Sequence, residues 1–247
     1  MPGKTVILDV MAFFCTMYAA WALNWSTTDL VWGLWLSSLT IGYVTILSAI
    51  IGGAYIGTRV IHHPEFPAQY RMMASIGGVV FATFMLGFFS FHFGAFHSGH
   101  AVFLSDFFPL EGIEPRAFSG TFMNPPALLE IAFTQLVPLY GLFVIPILIA
   151  ERHYVFKGLT DAWQAFHDTT LDVAQSKQAL RSGKMKQAMA GSFGQPYINV
   201  IRMHLLIFFF AFANSMNVDS FVMYVVVCLV YFFPWKMLKR PAITKTL

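Results

Sequence analysis

Three histidines crowd one apolar stretch, Phe91-His92-Phe93-Gly94-Ala95-Phe96-His97-Ser98-Gly99-His100. An imidazole can ligate a metal, carry a proton or join two helices by a hydrogen bond. His97 and His100, three apart, share a helix face and suit a single metal ion. His92 and His100 are eight apart, which is about 12 Å along a regular helix, so one ion reaches both only if the helix breaks. Gly94 and Gly99 make such a break feasible. Glu130 is the carboxylate expected nearest this group, with Met123, Asn124, Met216 and Asp219 towards the same face. Histidine with carboxylate suits iron or zinc, and histidine with methionine suits copper. His204, in Arg202-Met203-His204-Leu205, belongs at a different depth. A His92–His204 pair would bracket a haem or form a polar contact between helices. Three readings stay open here: histidines that bond across helices or line an interface, a metal or haem site, and proton or quinone traffic.

Composition dictates what must position these groups. Fifty-seven per cent of the residues are apolar and 11% are charged, against roughly 25% charged in an ordinary soluble domain. The chain lacks the residues to cover itself in water-facing charge, whereas 27 Phe and 13 Met suit a surface facing lipid. A spanning helix needs about 20 predominantly apolar residues. Six stretches qualify, near 5–23, 30–56, 73–104, 126–150, 197–215 and 221–235. The expected fold is an all-α, polytopic transmembrane bundle forming a single integral membrane domain. The third stretch stays apolar as far as Phe108, so tilt, a kink near Gly94 or Gly99, or a helix leaving the membrane must absorb the excess.

Charge orients this bundle. Lys4, Arg59, Arg71, Arg152, Lys157, Lys177, Arg181, Lys184, Lys186 and the basic C-terminal residues all fall on one side of six spans. Asp29, Asp106, Glu111, Glu114 and Asp219 fall on the other, with Arg116 as that side's cation. Excess Lys and Arg mark the cytoplasmic side, so both termini are expected in the cytoplasm, beneath a bacterial inner membrane. This orientation puts His97, His100 and Glu130 towards the outer face and His204 in the inner half of its span.

Between spans four and five, residues 157–195 should form a cytoplasmic amphipathic segment. Leu159, Trp163, Phe166, Thr170 and Val173 recur at helical steps, which suits a helix lying on the membrane surface or on the bundle. The basic residues after it face anionic lipid or a partner; nucleic acid is not an expected partner. Cys15 and Cys228 read as small apolar side chains rather than a disulfide framework. The first apolar run reads as a retained helix rather than a cleaved signal. No His-Glu-x-x-His or Gly-x-Ser-x-Gly motif occurs. Gly52-Gly53 and Gly77-Gly78 lie inside spans, where small residues permit close helix packing.

Three stretches carry a resemblance. Trp25-Ser26-Thr27 leads into Leu34-Trp35-Leu36 and Ile41-Gly42; His92-Phe93-Gly94-Ala95-Phe96 is followed by His100; Gln195-Pro196-Tyr197 precedes Met203-His204-Leu205. Together they resemble an uncharacterised family of bacterial polytopic membrane proteins, known only as a domain of unknown function. By that resemblance His92, His100 and His204 are family positions, and His97 is particular to this chain. Ala101 stands where the resemblance implies a glycine. No acidic residue occurs near Ser37–Ser38, where the resemblance implies one. It implies no reaction.

The leading functional expectation is a non-catalytic subunit or assembly partner of a larger membrane complex, with other membrane subunits or further copies of itself as partners. The alternatives are a metal- or haem-dependent redox enzyme and a small-solute or proton channel.

Overall fold

The computed structural model describes residues 21–114 and 116–167, together with residues 7, 10, 11, 14, 15, 17, 18, 201, 205–213, 215, 216, 222, 223, 225, 226 and 229. The structure is helical, without strands among the described residues. Helix α1 spans Thr27–Ile61, α2 spans Arg71–Phe107, and α3 spans Pro125–Ala150. These three are long and apolar enough to cross a membrane. Two shorter helices follow, α4 at Arg152–Val155 and α5 at Lys157–His167. The first, fifth and sixth expected spans fall partly or largely outside the described residues, as does the remainder of the 157–195 segment.

Local chemistry sets the helix ends. Ser26 caps α1, accepting from the Asp29 amide while the Asp29 carboxylate accepts from the Ser26 amide, so two otherwise orphaned donors are satisfied. At the far end the His62 ring bonds the Thr58 carbonyl at 2.7 Å. Asn124 caps α3, with Pro125 and Pro126 in the first turn, where a missing amide hydrogen costs nothing. Within α3 the residues Ala132–Leu136 widen into a π turn just before Pro138. Proline cannot donate to the carbonyl four residues earlier, and a wider turn absorbs that gap.

Helix α1 is the centre of the fold. Every residue from Leu30 to Leu39 is buried, as befits a helix apolar on all faces. It packs against α2, α3 and α5. Helix α2 runs α-helical from Arg71 to Phe107, so the break near Gly94 or Gly99 is absent and the excess apolar length extends one continuous helix. Its two halves differ. Phe89, Phe93, His97 and Leu104 are buried, while Met72, Ile76, Val79, Val80 and Phe81 are exposed. Helix α3 is one-sided: Tyr140, Phe143, Val144 and Ile147 face inward, and Leu139, Leu142 and Ile145 face outward.

Helix α5 packs on the bundle. A Cβ at Gly52 would lie 2.2 Å from the Gly158 carbonyl oxygen, and one at Gly158 would lie 2.6 Å from the Ala49 Cα. Only glycine on both sides permits so close a backbone crossing. The Ser48 hydroxyl then accepts from the Leu159 amide at 3.2 Å. Among the described residues Gly53, Gly77 and Gly78 make no such approach, with nothing within 4 Å of an added Cβ.

Candidate functional site

The histidine stretch lies on the second half of α2, where α1 fixes its rotation. Gly42 on α1 leaves room for the Phe93 ring; a Cβ there would sit 2.1 Å from Phe93 Cζ. With Phe93 seated, His97 comes one turn later into the same seam. It is fully buried. Its Nδ1 lies 3.1 Å from the Phe93 carbonyl and its Nε2 lies 3.2 Å from Ser38 Oγ. A carbonyl only accepts, so in the neutral ring Nδ1 carries the proton and Nε2 takes the Ser38 hydroxyl hydrogen. Both nitrogens are thereby engaged. The Trp35 indole N–H donates to the His97 carbonyl at 3.1 Å, and its ring meets the imidazole edge to face at 5.7 Å.

A plug closes this end of the seam. The Trp32 indole donates to the Phe108 carbonyl at 2.8 Å, and Phe118, fully buried, stacks on Trp32 at 5.2 Å. Ser98 Oγ donates to the Thr121 carbonyl at 3.0 Å, tying the loop before α3 back to α2. No motif announces this plug; Phe118 and Thr121 acquire their roles only once α1 and α2 are antiparallel.

His100 and His92 face elsewhere. His100 is 7% exposed and its ring lies 6.1 Å from that of His97. Both His92 and His100 line a groove of about 550 Å³, with Ala95, Phe96 and Gly99 between them and Phe122, Ile207 and Phe208 opposite. His92 is exposed at one end, stacked on Phe88 at 5.6 Å and set edge-on to Phe96 at 5.2 Å. Because α2 is unbroken, the rise of about 12 Å between His92 and His100 stands, and one ion cannot reach both.

The structure therefore brings His97 and His100 side by side but engages His97 with Ser38. Glu130 is exposed on α3 and does not line the groove. Met123 and Met216 are exposed as well. Among the described residues no three His, Cys, Asp or Glu side chains form a group able to hold a metal ion. For His97 to take one, Nε2 would have to give up Ser38. His204 and Asp219 lie outside the described residues, so the His92–His204 haem pairing does too.

No curated protein matches the chain. No solved structure matches it either. One family model does, that of a family of unknown function, DUF6498, over residues 2–147. The matched stretch takes in α1, α2 and most of α3, including His92, Phe93, His97 and His100, and ends before the stretch containing His204. Since the match covers more than half of the 247 residues, the chain belongs to the family of unknown function DUF6498.

Proposed function

We propose that this chain is a six-span bacterial inner-membrane protein with cytoplasmic termini, acting as a non-catalytic subunit of a larger membrane complex. The carrying observation is the contrast between α2 and α3. A lipid-facing helix in a bundle exposes one stripe and buries the other, as α3 does. From Met72 to Phe81 every residue of α2 but half-buried Ala74 is exposed. Ala74, Gly78 and Ala82 recur there every four residues; Ala74 and Ala82 are half-buried, Gly78 is exposed, and no described residue lies within 4 Å of a Cβ added at Gly78. Small residues at that spacing let a second transmembrane helix approach closely, which is what drives association in lipid.

The separation of basic and acidic residues supports the six spans and their orientation. The packing of α5 against the half of α1 that ends in Arg59 accords with a cytoplasmic position for that helix. Seating of both His97 nitrogens inside the protein favours a packing role for that residue over a metal site. A photo-crosslinking residue at Val80, compared with one at Leu142 on α3, tests the docking. Val80 should yield one defined protein adduct from intact membranes, and Leu142 should yield lipid adducts. Lipid adducts from both positions would sink the reading.

A further inference from the structure

We propose that the groove between His92 and His100 is a binding site for a flat, lipid-soluble ring with a hydrogen-bond acceptor at each end, that is, a quinone. The inference rests on the membrane placement of α2 proposed above, and not on docking by its first half. The groove's volume, about 550 Å³, lies within the roughly 300–1,000 Å³ of small-molecule sites. Its polar content on α2 is two imidazoles, His92 at one end and His100 just before Phe103 at the other, with Ala95 and Gly99 between them. On an unbroken helix the two histidines are separated by a rise of about 12 Å, which leaves room between them for a ring with a carbonyl towards each. A metal ion cannot bridge that gap. An acyl chain carries no hydrogen-bond acceptor into this groove.

Phe96, Phe103, Phe122 and Phe208 are among the lining side chains, and aromatic rings stack readily on a flat ring. From His92 a ladder of rings continues along α2, through Phe88 at 5.6 Å to Phe84 a further 6.2 Å on. All three are exposed. An isoprenoid tail leaving the groove would lie along this ladder towards the middle of the helix, with the ring between His92 and His100.

Gly99 supplies the decisive variant. No described residue lies within 4 Å of a Cβ placed there, so Gly99→Leu fills the groove floor without displacing any of them, and leucine is the better helix former. The chain would be reconstituted in phosphatidylcholine nanodiscs and titrated with decyl-ubiquinone, with empty discs subtracted. Failure to enter the discs as a monodisperse protein would count against the membrane reading itself, separately from the quinone. Saturable uptake of one quinone per chain is expected. Gly99→Leu should weaken it at least tenfold, and His92→Phe and His100→Phe should each weaken it about tenfold. Uptake no greater than that of empty discs, or unchanged by Gly99→Leu, would overturn the proposal. So would binding that Gly99→Leu removes but both histidine variants keep, since that describes a groove for acyl chains.

Discussion

His97 Nε2 lies 3.2 Å from Ser38 Oγ across the seam between α1 and α2, with both residues buried. The imidazole is thus a cross-helix fastener: its other nitrogen donates within its own helix and the His97 carbonyl accepts from Trp35. In a bilayer such a bond counts for less than its burial suggests, because the unfolded chain in lipid finds partners too; measured values average about 0.6 kcal/mol and reach about 1.7.

Ser38→Ala should accordingly destabilise the chain by about 1 kcal/mol, read from reversible unfolding in mixed micelles. His97→Phe should cost a similar amount, and the double variant less than the sum, because each single change strands the other's polar group. Strict additivity would show that the two residues are not coupled.

Gly42→Val should be more damaging than either. Its added atoms meet the Phe93 ring, 2.1 Å from where a Cβ would stand, and overpacking of this kind costs about 1–3 kcal/mol. Phe93→Leu in the same chain should recover part of the loss. Thermal unfolding in detergent checks both, and full stability of Gly42→Val would contradict the close packing of α1 on α2.

Gly52 and Gly53 are neighbours with opposite surroundings, which makes them a matched pair. Gly52→Ala should lift α5 off α1, raising hydrogen exchange of the Leu159 amide, which is bonded to Ser48. Gly53→Ala, with open space at its Cβ, should leave that amide protected. Equal exchange in the two variants would rule out the Gly52–Gly158 crossing.

The long helices could be read from the sequence because their signal is collective. About 20 apolar residues in a row suit a spanning helix and little else, and α1, α2 and α3 each extend slightly beyond the stretches expected at 30–56, 73–104 and 126–150. The rotation of α2 about its axis could not be read, because Phe and His recur on every face from Phe88 to His100. That rotation sends His97 into the seam and His92 out to the groove, and it is set by Gly42, an absent side chain on a different helix. Ser38 escaped notice for a related reason: an acidic residue was expected near Ser37–Ser38, and the partner His97 finds there is a hydroxyl. Gly52 and Gly53 look alike in sequence, and only the position of Gly158 distinguishes them.

The docking of α2 onto another membrane protein is tested most directly by native mass spectrometry on particles extracted from membranes under mild conditions. Wild-type chain should appear in a complex of defined mass that includes a second polypeptide. Gly78→Leu, with no described residue within 4 Å of the added Cβ, should release the same chain folded and alone. A wild-type chain that leaves the membrane as a lipid-coated monomer, with a mass profile that Gly78→Leu does not change, would contradict the docking.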